Sequence, residues 1–520
     1  MYRKQQPQQE TCFIPGSLSD YVPEDHILKR VNAVLDLRWL EAEVRDLYAA
    51  EGRPCIAPEQ ALRLILAGFF DGIVQDRKLL REAQVNLAYR WFAGYELGDA
   101  LPDHSSLTRI RQRWGAARFK KIFKRSVAQC QQAGLAPGEM LHTDASLIRA
   151  DVSWESLVEA HVEQVLAENP PLAEETTAVA QTAARPEAKA PATKGKAGKR
   201  KKVSTTDPEA SLTTSCKRQR MEPCYKQHTV VDDHAGVIVD LQVTTGEANE
   251  GQQLLEQLAR VEETLGVRPR TVTADRGYAS ADNYAALEEL GVEAVIPPAP
   301  ERAPHRGMPL ARFSYDARHQ LVRCPAGKWL ARKGRGKGGW HYRARAADCR
   351  GCRLRAQCVP PSAQARSVLI KDGYCALLRA RRRKQQGWNA ATQEAYRRHR
   401  WRAEGAHGEA KSQHGLRRAA RRGLDNVAIQ AYLTATVMNL KRLAAHAGRA
   451  LRTFFGDPGG GFSPRAVRAA RWGWLSEIKL LGRFIGGQLS YKGGTFSTAP
   501  LSPGFTMFAN QLYNPDSPAK

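Results

Sequence analysis

The fold is decided by residues 225–247, YKQHTVVDDHAGVIVDLQVTTGE, in which two runs rich in β-branched residues flank the turn signal Asp233-His-Ala-Gly236. Runs of this kind around a short loop that contains glycine predict an antiparallel β-hairpin. Upstream, residues 140–148, MLHTDASLI, predict a separate strand that carries Asp144. We therefore expect one strand and then a hairpin in this part of the chain.

Downstream of the hairpin, helical and extended patterns alternate. A helical period over residues 250–265 precedes a strand at 270–275 that ends in Asp275, a helix at 281–291 and a strand at 292–297. The predicted order is β, β, β, α, β, α, β. Because an antiparallel hairpin then leads into parallel strands, the order predicts a mixed sheet flanked by helices, as in the ribonuclease-H fold.

The N-terminal part of the chain has a different pattern. From about residue 24 to 135 the apolar residues recur at helical spacing, as in residues 58–70, PEQALRLILAGFF. The expected fold class is therefore α/β: a ribonuclease-H-like mixed sheet with flanking helices, preceded by an all-helical N-terminal domain.

The charge of the chain favours a polyanionic partner. Its 79 Lys and Arg exceed its 53 Asp and Glu, which gives a net charge of +26. Neutralising phosphates with such a surface releases condensed counterions, so DNA or RNA is the first partner to expect; a merely basic protein is the alternative. No apolar stretch approaches the roughly 20 residues of a membrane span, and the first residues lack the apolar core of a signal peptide. We therefore expect a cytoplasmic, nucleoid-associated protein without membrane contact.

A candidate DNA-binding helix ends the helical block. In residues 101–115, LPDHSSLTRIRQRWG, either Asp103 or Ser105 can cap a helix. Three basic residues of that helix, which are Arg109, Arg111 and Arg113, are the candidates for DNA contact. An ordinary amphipathic helix with a solvated basic face is an equally good interpretation.

Three acidic segments carry the candidate chemistry. They are His142-Thr-Asp144 on a predicted strand, residues 273–278, TADRGY, at the end of another strand, and residues 400–411, RWRAEGAHGEAK, in a predicted helix. Any single acidic residue of this kind is usually a turn residue or a surface ion-pair partner. Their order on the predicted elements is what makes them informative.

The third segment is the most specific. Arg400 lies four residues before Glu404 and Lys411 seven residues after it, and on a helix these intervals place all three on one face. Together, the three segments resemble the acidic motifs of DDE transposases encoded by bacterial insertion sequences. The resemblance as a whole covers about residues 10–445. The tyrosine that precedes the arginine in that family is shifted by one position here, to Tyr396.

The resemblance implies a site and its partners. Asp144, Asp275 and Glu404 would be the catalytic residues and would hold two Mg²⁺ or Mn²⁺ ions, for which carboxylate oxygens are the proper ligands. Arg400, Lys411 and Tyr396 would bind DNA. The implied partners are the terminal inverted repeats of the element, target DNA and a second copy of the chain in a synaptic homodimer.

Alternatives remain open at the level of residues and of function. Glu409 is the rival of Glu404 for the third acidic position, because it also lies close to Lys411. A metal-dependent nuclease without strand transfer would use the same three acids. A catalytically inactive DNA-binding protein would keep the fold without the reaction.

A group of cysteines suggests a second kind of metal site. Cys324, Cys349, Cys352 and Cys358 offer four thiolates, and four sulfur ligands suit a structural Zn²⁺ in a tetrahedral site. Free or redox-labile thiols are the alternative. The same region contains a basic group that we expect to form a DNA-contacting flap, comprising Arg332, Lys333, Arg335 and Lys337.

The predicted domain limits follow from these patterns. Residues 168–203 contain almost no large apolar residue and predict a disordered insertion. The other expected parts are a helical DNA-binding domain at 10–136, the first part of the catalytic domain at 137–167 and 204–299, a basic cysteine-containing insertion at 300–365, final catalytic helices at 366–450 and a tail of unknown role at 451–520.

Overall fold

The computed structural model describes residues 16–48, 55–160, 201–214, 220–301 and 307–455. Most of the predicted disordered insertion and nearly all of the predicted tail lie outside these ranges. Residues 201–203, at the end of that insertion, form a strand with Ser204, which pairs with residues 157–160, contrary to the prediction of disorder there.

The N-terminal part is helical, as predicted. Asn86 caps one of its helices by accepting hydrogen bonds from the N–H groups of Ala88 and Tyr89, and Gly94 ends that helix with a φ of 75°. Asp103, rather than Ser105, caps the helix that follows. The helices are α1 (Leu18–Tyr21), α2 (Ile27–Asn32), α3 (Leu40–Val44), α4 (Pro58–Phe70), α5 (Asp76–Val85), α6 (Leu87–Ala93) and α7 (His104–Gln132).

Helix α7 connects the helical part to the sheet. Its backbone leaves helical geometry at Gly115, where φ is 64° and ψ is 169°, so it consists of two helices that meet at a kink. The second half packs against the long helix Leu424–Phe455, and the rings of Phe123 and Tyr432 stack there at 6.0 Å. The helical part and the rest therefore share one apolar core.

The main sheet has six strands in the order β4-β5-β1-β7-β8, with β6 also paired to β5. Strand β1 is antiparallel to β5 and parallel to β7, and β7 is parallel to β8. This is the mixed order of the ribonuclease-H fold, so the predicted fold class is confirmed. The strands are β1 (Met140–Arg149), β2 (Leu157–Ala160), β3 (Lys201–Ser204), β4 (Ser211–Thr213), β5 (Glu222–Asp232), β6 (Ile238–Thr245), β7 (Thr271–Ala274) and β8 (Glu293–Val295).

The helices that accompany this sheet also match the prediction. Helix α8 (Leu254–Leu265) ends at Gly266, whose φ is 67°, and α9 (Ala281–Glu289) begins after Ser280, whose side chain accepts the N–H of Asn283. Single helical turns follow β6 at Glu250–Gln252 and β7 at Arg276–Tyr278.

A second, five-stranded sheet with its own apolar core follows β8. Its strands lie in the order β13-β12-β11-β10-β9. Its elements are β9 (Ser314–Asp316), β10 (Leu321–Arg323), β11 (Trp329–Gly336), β12 (Gly339–Arg343), α10 (Ala346–Arg350), α11 (Arg355–Cys358) and β13 (Ser367–Lys371). The predicted cysteine-containing region is thus a folded layer of strands, which the sequence pattern had not indicated.

The chain then returns to the main sheet through helices. A π-helical turn, Arg400–Glu404, separates α13 from α14, and Arg421 lies in the segment between α14 and α15. The helices are α12 (Tyr374–Gln385), α13 (Ala390–His399), α14 (Gly405–Ser412) and α15 (Leu424–Phe455). No helix in the described ranges combines the length and apolar character that a membrane crossing requires.

Candidate active site

The sheet register brings the first two acidic residues together. Strands β1 and β7 are parallel neighbours, and their last paired residues are Thr143 and Ala274. Asp144 and Asp275 are the next residues on the two strands. They therefore lie side by side on adjacent parallel strands, Asp144 in the middle of β1 and Asp275 directly after the end of β7, although 130 residues of sequence separate them.

Asp275 has a second, local function. Its Oδ1 accepts the N–H of Gly277 at 2.7 Å, which caps the turn Arg276–Tyr278. A Cβ at Gly277 would lie only 2.9 Å from this Oδ1, so glycine permits the close approach of carboxylate and backbone. The turn interpretation and the catalytic interpretation of Asp-Arg-Gly are thus compatible.

The third acidic residue arrives from the π-helical turn. Glu404 ends this turn, which packs against β1 and β5, and its Oε2 lies 3.5 Å from Nε of Arg400. Both side chains are largely exposed. π-Helical turns inside helices often mark functional sites, and this one lies where the sequence predicts the third catalytic residue.

The electrostatics of Asp144 show that the acids are neighbours. The pKa of Asp144 is raised to about 7. Burial is the main cause, and the charges of Asp275, Glu250 and Glu404 add to it, whereas a backbone hydrogen bond from Ala145 lowers the pKa. Carboxylates crowded in this way favour a divalent cation, since a cation relieves both the repulsion and the cost of burial.

A buried polar chain fixes the strands and helix that carry these acids. Oγ1 of Thr273 lies 2.6 Å from Nδ1 of His142 and 2.9 Å from Nδ1 of His399, so one hydroxyl links β1, β7 and α13. Nε2 of His142 lies 3.0 Å from Oδ1 of Asp233 in the hairpin turn. The histidine of the first motif is therefore a positioning residue.

Sequence reasoning missed three residues at the site. Glu250 belongs to the turn after β6, and its charge acts on both Asp144 and Asp275. Nε2 of the buried His407 lies 3.8 Å from Oδ2 of Asp144, and burial together with the charge of Lys411 lowers the pKa of His407 to about 4. The buried Tyr278 hydroxyl interacts with the charges of the same acids. His407 had a signal in the sequence, its helical spacing of three from Glu404, and Tyr278 is the last residue of the second acidic segment, whereas Glu250 had none.

The rival third acid, Glu409, is occupied elsewhere. Its Oε1 lies 2.7 Å from Nζ of Lys441, and its Oε2 lies 3.1 Å from Nη2 of Arg442. Burial would raise the pKa of Glu409, but the hydrogen bond from His414 and the two α15 cations outweigh it and lower that pKa. Glu409 thus joins α14 to α15.

The predicted DNA-binding residues of the third motif differ in their surroundings. Arg400 is exposed beside Glu404, whereas Lys411 is half-buried and its amino group interacts with the charge of Asp144. The ring of Tyr396 stacks on His399 with centroids 6.0 Å apart. Burial raises the pKa of Tyr396, and the charges of Asp275 and Glu404 raise it further, which places its hydroxyl near the acids.

The prediction for the helix α7 is wrong for one of its three arginines. Arg111 is buried and forms an ion pair with Asp76, which also binds Nη2 of Arg421 at 2.5 Å. A guanidinium enclosed in this way cannot reach a phosphate. Arg109 and Arg113 are exposed, and the Arg113 guanidinium lies 5.1 Å from the ring centroid of Tyr48.

The four cysteines of the second sheet line one cavity of about 20 Å³. Burial raises the pKa of Cys358, and the other three cysteines raise it further, which shows that the sulfurs are neighbours. Sγ of Cys324 accepts the N–H of Lys328 at 3.3 Å. None of the four forms a disulfide.

Neither the acidic residues nor the four cysteines have the arrangement of an occupied metal site. Within the ranges that the structure describes, no three His, Cys, Asp or Glu side chains converge closely enough to hold a metal. The donor chemistry nevertheless fits. The carboxylate oxygens of Asp144, Asp275 and Glu404 suit a hard divalent cation, and the cysteine sulfurs suit zinc.

A mixed sheet of this order, with one acidic residue on its central strand and another at the end of the parallel neighbour, is typical of the class of ribonuclease-H-like enzymes. Two family models match the chain: a transposase domain, DUF772, over residues 16–113, and the transposase DDE domain over residues 193–440. The chain therefore belongs to the DDE transposases of insertion-sequence type, enzymes that depend on divalent metal ions to cleave DNA and move a mobile element.

Two solved structures of transposases show detectable similarity to the chain. The piggyBac transposase synaptic complex with hairpin DNA is 10% identical with a TM-score of 0.30, covering 95% of this chain and 90% of that chain. The Mos1 transposase paired-end complex with the left transposon end is 12% identical with a TM-score of 0.15, covering 49% and 65%. Among curated proteins, no match was found. The assignment to the family depends on the two family models.

Proposed function

We propose that Asp144, Asp275 and Glu404 form the catalytic site of this transposase and hold two Mg²⁺ or Mn²⁺ ions. The observation that carries the proposal is the strand register that sets Asp144 beside Asp275, together with the charge of Glu404, which raises the pKa of Asp144. When bound, such a pair of ions activates a water molecule and stabilises the leaving oxygen of a phosphodiester.

The residues around the acids would position the DNA. Arg400, exposed beside Glu404, can hold a phosphate with its two-pronged guanidinium, and Lys411 beside Asp144 can hold the next as a point charge. The Tyr396 hydroxyl, whose pKa the charges of Asp275 and Glu404 raise, would contact the same stretch of DNA. Water cleaves the strand at the element end, and the freed 3′ hydroxyl then attacks a target phosphodiester, so each step exchanges one oxygen on phosphorus for another.

The remaining basic surfaces would bind the flanking duplex. Arg109 and Arg113 are suited to the terminal inverted repeats, because they are the exposed basic residues of the predicted recognition helix. The β11–β12 ribbon would be the flap, with Arg332, Lys333, Arg335 and Lys337 on or between its strands. Because both ends of an element must be held together, we propose a homodimer on DNA, acting at the bacterial nucleoid.

Two glutamates of the same helical region provide the test. A plasmid that carries this gene with its flanking DNA is incubated with protein and Mn²⁺, and nicked and joined products are measured. Glu404→Gln should lower cleavage by about 100-fold or more, whereas Glu409→Gln should cleave like the wild type at a temperature where it is folded. Wild-type cleavage by Glu404→Gln would refute the assignment, and nicks without joined products would indicate a nuclease.

The four cysteines of the second sheet are proposed as a structural Zn²⁺ site. Their shared cavity and the backbone N–H donated to Cys324 support this, because zinc-bound sulfur commonly accepts such hydrogen bonds. Elemental analysis of purified protein should find about one zinc per chain. If no zinc is found and the thiols of these four cysteines react with a thiol reagent, the cysteines are free.

A further inference from the structure

Glu250 lies directly beside Asp275, although the sequence places it on a different element. An ideal Cβ on Gly277 would lie 2.9 Å from Oδ1 of Asp275 and 3.1 Å from Oε2 of Glu250. Both carboxylates therefore face the same side of this glycine. The absence of a side chain at Gly277 leaves the space in which they approach each other.

This proximity is fixed by the backbone. Nδ2 of Asn283 donates to the carbonyl of Gly251 at 2.8 Å and to the carbonyl of Tyr278 at 2.9 Å, so one buried amide clamps the two turns together. A Cβ on Gly251 would lie 3.0 Å from the carbonyl oxygen of Gly277. The turn that carries Glu250 is thus packed against the turn that Asp275 caps.

Lys226 orients the Glu250 carboxylate. Its Nζ lies 3.0 Å from Oε1 of Glu250 and donates to the carbonyl of Ala248 at 2.9 Å. The lysine side chain is mostly buried on β5. It therefore holds Oε1, while Oε2 remains on the side of Gly277 and Asp275.

Tyr278 supplies an independent indication that a ligand occupies the space between these acids. Its side chain is fully buried, yet its hydroxyl has no hydrogen-bond partner among the described residues. The charges that act on this hydroxyl are those of Asp144, Glu250 and Asp275. A buried hydroxyl without a partner costs free energy unless a bound molecule or the hydration shell of an ion satisfies it.

We propose that Glu250 is a fourth acidic residue of the metal site, where its Oε2 binds, directly or through a coordinated water, the divalent ion held by Asp275, and that Lys226 is its positioning residue. The proposal rests on the catalytic site proposed above. It also explains why a glutamate with a half-buried side chain lies in the turn after β6, where an ion pair with Lys226 alone would not require the approach to Asp275.

The test measures metal binding rather than catalysis. Mn²⁺ binding to the full chain is followed by the electron paramagnetic resonance signal of the free ion, for the wild type, Glu250→Gln, Asp275→Asn and Glu262→Gln. Glu262 is the matched control, because it lies on α8 and pairs with Arg268 at the surface. Glu250→Gln should weaken Mn²⁺ binding about tenfold or more, Asp275→Asn at least as much, and Glu262→Gln not measurably.

The outcomes separate this proposal from the previous one. If Asp275→Asn loses Mn²⁺ binding and Glu250→Gln binds like the wild type, Glu250 is only the ion-pair partner of Lys226 and the inference fails. If Asp275→Asn also binds like the wild type, the catalytic assignment fails. Should Glu250→Gln not fold, oxidative cleavage of the wild-type chain by bound Fe²⁺ and ascorbate decides: cuts near both 250 and 275 support the inference, and cuts near 275 without 250 overturn it.

Discussion

Two charged regions of this transposase are built on opposite principles. At the proposed catalytic site, Asp144 is close to the charges of Asp275, Glu250 and Glu404. Burial and these charges together raise the pKa of Asp144 to about 7. At the junction between the helical part and the loop after α14, the buried Asp76 carboxylate binds the guanidinium groups of Arg111 and Arg421. Like charges gather at the first region, and opposite charges compensate each other at the second.

The difference separates residues kept for chemistry from residues kept for folding. A buried carboxylate with two cations satisfies its own charge, whereas carboxylates that face one another destabilise the metal-free protein. Burial would raise the pKa of Asp76, but the charges of Arg111 and Arg421 outweigh it and lower that pKa. Clustered acidic residues with raised pKa values are therefore the better candidates for function.

The largest effect is expected at Asp144. Asp144→Asn keeps the side-chain volume but removes a proposed metal ligand, so strand cleavage should fall by about 1,000-fold or more. Without metal, the same variant should melt at a temperature about 2 °C or more above the wild type, since a destabilising charge is gone. Cleavage assays and thermal melts in a chelator measure the two effects. A variant that melts lower and still cleaves would show that Asp144 is structural.

A smaller and opposite effect on stability is expected at Asp76. Asp76→Asn leaves Arg111 and Arg421 without compensation and should lower the free energy of unfolding by about 3 kcal/mol at neutral pH. Because the folded-state pKa of Asp76 is lowered, its stabilisation is present above the ordinary aspartate pKa and is lost as the pH falls through the folded-state pKa. Denaturant unfolding at pH 7 and at acidic pH measures both.

The control for Asp76 is an exposed pair in the same part of the chain. Asp46 is largely exposed and binds Arg118 at 2.5 Å, so Asp46→Asn should change stability by less than about 1 kcal/mol. If Asp46→Asn and Asp76→Asn were equally destabilising, burial would not be the reason for the importance of the junction.

The smallest effect is expected on the exposed face of α7. Replacing both Arg109 and Arg113 with alanine should weaken DNA binding and reduce the slope of log affinity against log salt by about 2, without lowering the melting temperature. Arg111→Ala should instead lower the melting temperature, because Arg111 is buried against Asp76. Salt-dependent DNA binding, measured by fluorescence anisotropy, distinguishes the double variant from Arg111→Ala. An unchanged slope for the double variant would exclude this helix from the DNA interface.

Much of the catalytic part could be predicted from local patterns. Strand and helix periods gave the β, β, β, α, β, α, β order, and in this order β1 and β7 are adjacent parallel strands, which brings Asp144 on β1 close to Asp275 at the end of β7. The five-stranded sheet could not be predicted, since β9 and β10 have only three residues each and β11 is basic and contains two glycines. Its apolar core becomes apparent only when distant residues such as Phe313 and Ile370 meet.

By itself, the sequence determined the family, the fold class and the three candidate acids, because motif spacing and periodicity are properties of neighbouring residues. Tertiary structure alone decided which charges are free to act. It enclosed Arg111, paired Glu409 with the cations of α15, and brought Glu250 beside Asp275. The physical reason is that the state of a charge depends on its burial and its partners, and here those partners come from distant parts of the chain.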